Sequence, residues 1–270
     1  HYSVQEEGSQ LVSFLLEPQA DTLLLDACGG AGGKTLHLVD LSGDQAEIVC
    51  CDAAAWRLRK AAERYALATG KGPCRNKLDN SGRQGAPPSR TEEQGNLNDS
   101  ERRGTPSAGM DRRSERSSYS CTGPKTLETQ LVDWTEREAP LREGGFEGVL
   151  LDAPCTGTGA LRRHPEAKWR LDGQGLSQMV RLQEALLSRV AQEVAPGGVF
   201  VYAVCSITRE EGPERVEAFL QSHPGFSRAP HLSDDNPVKP LIDAKAQLVL
   251  WPHEHGTDGF YAARLRRTIS

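Results

Sequence analysis

Short apolar runs of four to six residues alternate with longer stretches in which apolar positions recur every three or four residues, and this alternation predicts strands and helices in turn. A helix over 6–16 places Leu11, Val12, Leu15 and Leu16 on one face. Strands are expected at 22–25 and 46–51, each followed by a helix, at 34–41 and 55–67. Beyond a long polar interval come strands at 127–132 and 148–151, then a helix over 175–194 with a broad apolar face that includes Leu182, Leu186, Leu187, Val190 and Val194. Pro196, Gly197 and Gly198 stop that helix ahead of a strand at 199–204. A helix over 211–220 and two late strands, 247–250 and 259–265, complete the pattern, the late strands reading as an antiparallel edge pair. The recurring β-α order predicts an α/β fold on a mostly parallel sheet.

The polar interval changes the picture of the chain as one uninterrupted unit. Between 71 and 125 there are almost no aliphatic residues, and 11 basic residues stand against 7 acidic. Such a segment cannot bury enough apolar surface to offset its ordering entropy, so we expect a disordered, low-complexity insertion at 71–125 within a single domain spanning 1–270. The formal charge of -5 over 270 residues is that of an ordinary soluble protein, without the basic excess of a free-standing nucleic-acid binder. Seven cysteines, several inside apolar runs, and no signal-peptide pattern argue for reduced thiols in an intracellular compartment, cytoplasm or organelle. No apolar run approaches the roughly 20 residues that cross a bilayer, so no membrane contact is expected. The chain opens on His1 rather than Met, as a fragment or a processed chain would.

Candidate chemistry gathers where the predicted strands end. The first strand runs into Asp26, Ala27, Cys28, Gly29, Gly30, Ala31, Gly32, Gly33 and Lys34. Glycines between a strand and a helix let the backbone pass close to a ligand, and the helix start offers unpaired N–H groups. Asp52 ends the next strand about 20 residues on, where an acid can accept both ribose hydroxyls. The same residues would also serve as a capping turn and a helix cap. Asp133 and Asp152 end two further strands, so four carboxylates are expected along one sheet edge, a better setting for a cationic sulfonium than for a pyrophosphate.

Two cysteines also follow strands: Cys155 after Asp152, Ala153 and Pro154, and Cys205 after Val204. Methylation at carbon 5 of cytosine needs the ring made electron-rich by a thiolate adding at carbon 6, so a thiol of lowered pKa beside a methyl donor is the chemistry such a pair can perform. Cys28, Cys50 and Cys51 read as small buried hydrophobes. No CxxC spacing occurs and the histidines are scattered, His253 and His255 included, so no metal is expected.

Taken together, these residues resemble the Sun family of S-adenosylmethionine-dependent RNA cytosine-5 methyltransferases. The family's Cys-Ala-Ala-Pro-Gly-Gly-Lys loop corresponds to Cys28–Lys34, and its Asp-Ala-Pro-Cys-Ser block to Asp152–Thr156, continuing through Gly157, Gly159, Arg162, Arg163, His164, Pro165, Lys168 and Trp169. Its Thr-Cys-Ser block corresponds to Val204, Cys205 and Ser206, and its closing Asp-Gly-Phe-Phe to Asp258, Gly259, Phe260 and Tyr261. The resemblance implies a Rossmann-like, seven-stranded methyltransferase sheet with an antiparallel edge strand and helices on both faces. It implies S-adenosyl-L-methionine held by Cys28, Gly29, Gly30, Ala31, Gly32, Gly33, Lys34, Asp52, Asp133 and Asp152. It further implies Cys205 as nucleophile, Cys155 as the thiol that helps release product, Asp152 as a hydrogen-bond partner of the flipped cytosine, and Lys34 as an aid near the base, with a plain helix-surface lysine as the rival reading. RNA, ribosomal above all, is the implied partner of a monomer. Ala31 stands where the family has proline, Gly29 and Gly30 where it has alanines, and Val204 where it has threonine. The competing expectations are a non-catalytic ribosome-assembly factor that keeps the fold and a nicotinamide-dependent dehydrogenase, which leaves both thiols unexplained.

Overall fold

In the computed structural model, residues 4–70, 75–76, 118–120, 127–137, 139–170 and 172–269 are described. Helix α1 (Glu7–Phe14) precedes β1 (Leu23–Asp26), α2 (Gly33–Leu41), β2 (Glu47–Asp52) and α3 (Ala55–Thr69). Short strands β3 (Arg75–Asn76) and β4 (Ser118–Ser120) lead to β5 (Leu127–Leu131) and β6 (Phe146–Asp152). Then come α4 (Gly173–Val190), β7 (Val194–Val204), α5 (Pro213–Ser222), β8 (Phe226–Arg228), β9 (Gln247–Leu250), α6 (Pro252–His255) and β10 (Phe260–Arg267).

The strands form one sheet in the order β3-β4-β5-β2-β1-β6-β7-β10-β8, with β9 paired to β10. The central run β5-β2-β1-β6-β7 is parallel throughout. β2, β1, β6 and β7 are covered on both faces, so neighbouring residues are buried on opposite sides, while β5 alternates buried Leu127 and Thr129 with half-buried Glu128 and Gln130. Leu24, Ile48, Leu150 and Val201 pack with Val12, Leu15, Leu38 and Leu58 in one core, under α1, α2 and α3. Leu25, Val49, Leu151 and Tyr202 pack with Leu186, Leu187, Val190 and Phe219 in the other, under α4 and α5. Burying a leucine or phenylalanine of this kind contributes about 1.5–3 kcal/mol relative to leaving it in water, and this two-sided burial holds the strand ends in place.

All seven expected strands are present, and three short ones join them. The late strands do pair antiparallel, but β10 is not an edge: it lies between β7 on one side and β8 and β9 on the other. The helix expected to reach 194 ends at Val190, because Val194 already pairs with Phe146 as the start of β7. Pro196 disfavours a helical residue before it, so the chain is extended two residues ahead of the proline and passes an irregular register there. Within the interval assigned to an insertion, β3 and β4 add two antiparallel strands beside β5. The rest of that interval lies outside the described residues. Among the described residues, no helix is long and apolar enough to cross a membrane.

Candidate functional site

Parallel strands deliver their C-terminal ends to one edge of the sheet, and the charged residues gather there. Asp26, Asp52 and Asp152 each close their strand, and Asp133 follows two residues after β5. Between β1 and α2 the loop turns through Gly30 (φ 56°) and Gly32 (φ 82°), left-handed conformations that disfavour side chains. The Gly30 N–H donates to Asp52 Oδ2 over 3.1 Å, while Asp52 Oδ1 accepts from Ala54 N over 2.8 Å. Gly32 backs onto Ala61, and Ala31 O accepts from Arg64. At Gly29 a methyl group would lie 2.4 Å from Cys50 Sγ, so glycine in place of the family's alanine matches a thiol that fills the space.

Above this loop lies a cavity of about 520 Å3, whose walls include Cys28, Asp52, Asp133, Trp134, Asp152 and Pro154. Trp134 is fixed by a 2.6 Å hydrogen bond from its indole N–H to Ala27 O. The cavity joins three carboxylates to apolar surface from Ala53, Val132, Leu182 and Leu186, a lining that suits a cationic nucleoside with a ribose diol and a flat base. Below the cavity, Asp26 is fully buried, accepts from Thr35 Oγ1 over 2.7 Å, and leaves Oδ1 without a partner. Burial, reinforced by the charges of Asp152 and Asp52, pushes its carboxyl up to about 7 against the Thr35 hydrogen bond and the Lys34 charge. The Gly30 position is open to space, which leaves room for a ligand beside the turn. The residues present therefore fit S-adenosylmethionine.

Of the residues expected to hold that cofactor, Cys28, Asp52, Asp133 and Asp152 line the cavity, and Gly29, Gly30, Ala31, Gly32 and Gly33 shape the turn beneath it. Lys34 is the exception. Its side chain is buried and turned toward the thiols, donating to Asp152 Oδ2 over 2.6 Å and lying 5.5 Å from the centre of the Phe260 ring. Burial opposes its charge, but the Asp152 carboxylate outweighs that and raises its pKa. The helical start after Gly33 rotates this side chain away from the cofactor cavity, which spacing alone does not reveal.

The second half of the site is built from the ends of β6 and β7. Cys155 and Cys205 place their sulfurs 3.3 Å apart, and both are free. The hydrogen bond from Cys155 draws the Cys205 thiol below its usual pKa; burial and the Asp152 charge oppose this, and the Lys34 ammonium assists it. The same hydrogen bond, with burial, holds Cys155 well above the usual thiol range. The pair therefore divides one proton unequally, with Cys205 the readier thiolate.

Both sulfurs border the cofactor cavity and also a second cavity of about 620 Å3, walled by Thr156, Gly157, Arg163, His164, Glu166 and Met179. The loop around this second space is knitted tightly. Gly159 N donates to Cys205 O over 3.0 Å, Gly259 N donates to Gly159 O over 2.9 Å, and a methyl group on Gly159 would lie 1.9 Å from Gly259 O. Arg163 and Arg162 both reach the buried Asp258, so these two arginines are anchored, whereas Trp169 stands 81% exposed with Lys168 above its ring. His253 and His255 lie on α6, where Trp251 N donates to His255 Nδ1.

Trp134 and Glu211 escaped the sequence reading. Trp134 sits one residue past a strand-terminal acid, a place that signals the cavity wall only once the sheet edge is known. Glu211 carries no signal at all, since a glutamate at a helix start reads as a favourable helix-dipole charge.

A family model described as 16S rRNA methyltransferase RsmB/F matches residues 13–68 and 107–266. Its unmatched interval, 69–106, overlaps the segment assigned to an insertion. Ribosomal RNA small subunit methyltransferase B of Pasteurella multocida is 28% identical over 274 residues, covering 99% of this chain and 47% of that protein. The protein of the same name from Thermus thermophilus is 47% identical over 122 residues, covering 45% of this chain and 29% of its own length. Among solved structures, PH0851 is 26% identical with a TM-score of 0.70, over 98% of this chain and 47% of its own. NSun6 from Pyrococcus horikoshii with SFG is 21% identical with a TM-score of 0.66, over 98% and 53%, a likeness of fold. The chain spans about half the length of the relatives it matches over its whole extent.

Proposed function

The chain belongs to the 16S rRNA methyltransferase RsmB/F family, and on that premise we propose that it methylates carbon 5 of a cytosine in ribosomal RNA through a covalent cysteine adduct. The observation that carries this reading is the sulfur–sulfur contact of 3.3 Å at the border between two cavities, one suited to the methyl donor and one open for an extruded base.

S-adenosylmethionine, when bound, supplies an electrophilic methyl group on a sulfonium sulfur. Asp52 and Asp133 would accept from its ribose and amino groups, and Trp134 and Leu186 would supply apolar surface for its base. On the other side, the Cys205 thiolate adds to carbon 6 of the cytosine: a sulfur–carbon bond forms and the ring's double-bond electrons move to carbon 5, which becomes the nucleophile for the methyl group. Once carbon 5 carries the methyl, its proton must leave. That proton passes to solvent water in the open cavity, the carbon–hydrogen electrons re-form the ring double bond, and the carbon 6–sulfur bond breaks to release Cys205 as thiolate. Cys155, still a thiol, would stabilise that departing thiolate by donating its S–H to it. Asp152, held by Lys34 at the cofactor-side border of the thiols, would accept from the exocyclic amine of a base brought against Cys205.

The test separates the two sulfurs. With RNA and S-adenosylmethionine present, Cys155→Ala is expected to accumulate a denaturant-resistant protein–RNA adduct, while Cys205→Ala forms none and loses about 10^4-fold or more in methyl transfer. An adduct with Cys205→Ala instead reverses the roles, and full activity of that variant refutes covalent catalysis by this residue.

A further inference from the structure

The proposed chemistry makes no use of Glu211, yet its side chain is completely buried and lies between the two loops that carry the thiols. From the Cys155 loop, Thr156 donates twice: its N–H to Oε1 over 2.8 Å and its hydroxyl to Oε2 over 2.5 Å. From the Cys205 loop, the hydroxyls of Ser206 and Thr208 donate to Oε2 over 2.5 and 3.3 Å. Gln183 of α4 donates to Oε1 over 3.0 Å and, with the same nitrogen, to Pro154 O over 2.9 Å. Below, the Tyr202 hydroxyl donates to the Glu211 backbone carbonyl over 2.7 Å, tying α5's approach to β7.

A carboxylate taken out of water without a cation costs several kcal/mol, and it persists only where hydrogen bonds replace its hydration. Here five donors do so, and two of the three segments that supply them each end in a catalytic candidate. Apart from backbone ladders, no other side chain among the described residues joins the residue after Cys155 directly to the residue after Cys205. We propose that Glu211 is a positioning residue for the thiol pair, clamping the two loops at the separation that lets one sulfur donate to the other.

Its charge adds a second effect. Cys155 keeps the shared proton first through its hydrogen bond to Cys205, then through burial and the Cys205 charge, and a carboxylate at position 211 adds a smaller push in the same direction. Thr156 and Ser206 are each adjacent to a reacting sulfur, so a shift of a few tenths of an ångström in either loop is felt directly at the sulfur contact.

This inference rests on the reading of Cys205 and Cys155 as the reacting pair, but its deciding measurement, alkylation, needs neither RNA nor methyl donor. Iodoacetamide alkylation of each cysteine is followed against pH by peptide mass spectrometry in the native protein and in Glu211→Gln, which keeps the shape and removes the charge. In the native protein Cys205 is expected to react first. In Glu211→Gln the Cys155 profile is expected to move about one pH unit lower and the preference for Cys205 to fall about tenfold. Glu211→Asp, which keeps the charge and shortens the arm, should leave the Cys155 profile near its native position while slowing methyl transfer about tenfold at unchanged KM. A Cys155 profile and a preference unaltered in Glu211→Gln overturn the proposal, even if Cys205→Ala has shown the covalent reading to be right; loss of the preference supports it, even if no methylation is found. Where Glu211→Gln does not fold, Thr156→Val removes one donor and leaves the charge: a drop in preference of about threefold supports the clamp, and no change overturns it.

Discussion

The glycine turn after β1 and the thiol loops after β6 and β7 border the same two sulfurs, yet they are built on opposite principles. The turn is shaped by backbone conformation, at Gly30 and Gly32, and it leaves polar capacity unused: Asp26 Oδ1 is buried without a partner, and Asp133, solvent-exposed, is occupied only by Thr135. Around the thiols most functional groups are engaged, through the Lys34–Asp152 pair, the arginines on Asp258, the sulfur contact and the five donors on Glu211, and the buried oxygens left without a hydrogen bond there, Gln183 Oε1 and Asp258 Oδ1, belong to side chains already held by their other atoms. A surface that must capture and release a small molecule keeps contacts in reserve, whereas one that must hold reacting atoms at a fixed distance is over-determined before substrate arrives.

The contrast predicts unequal responses to the loss of one ion pair on each side. Lys34 is buried against Asp152, so Lys34→Met leaves a partly buried carboxylate unpaired and is expected to cost about 3–5 kcal/mol in denaturant unfolding. Because the ammonium also favours the Cys205 thiolate, the pH–rate profile should move to higher pH. On the cofactor side, Arg57 is half exposed and 3.7 Å from Asp52, and Arg57→Met should cost less than about 1 kcal/mol. Equal costs would erase the distinction.

Asp26 supplies the next effect in size. Its carboxyl is raised from 3.8 to about 7, chiefly by burial, so between those values the folded protein holds a proton that the unfolded chain has lost. Stability from this group is therefore fullest below about pH 4 and declines as pH rises to about 7, by up to about 4 kcal/mol. Asp26→Asn should flatten that slope in thermal unfolding measured across the range. A slope identical in the variant would assign the pH dependence elsewhere and leave the turn without its titrating reserve.

Both regions were partly legible in the sequence, for different reasons. The strands announced themselves because burial on two faces demands unbroken apolar runs such as those ending at Asp26, Asp52 and Asp152. That also put both thiols at one sheet edge. The helix boundary near Val194 was not legible, since the same residue satisfies a helical stripe and a strand, and only pairing with Phe146 decides. For Lys34 the sequence leaves a place with the cofactor glycines, one near the base and one on the helix surface all open, and only the start of α2 decides, handing the ammonium to Asp152. Glu211 could not be found by pattern, because its partners come from segments 28 and 55 residues away as well as from its own loop.

The smallest effect probes whether the openness of the turn depends on its glycines or on what lies behind them. A methyl group at position 29 would meet Cys50 Sγ at 2.4 Å, Thr35 Oγ1 at 3.0 Å and Asp26 Oδ2 at 3.1 Å. Cys50 is fully buried in a strand and cannot swing into solvent, so Gly29→Ala is expected to destabilise by about 1–3 kcal/mol through overpacking. It should also weaken S-adenosylmethionine binding a few-fold by disturbing the Thr35–Asp26 contact. Removing the sulfur relieves the worst of the clash and leaves the tighter-than-usual contacts with Thr35 and Asp26, so in a Cys50→Ala background the same substitution should cost less, giving a coupling energy of about 1 kcal/mol in the double-mutant cycle. Such coupling would mean that the alanine typical of this family and a cysteine at position 50 exclude each other, and that the turn is confined by its neighbour. Additive costs would mean instead that the turn yields, and that a pliable cofactor side faces a rigid thiol side across the same two sulfurs.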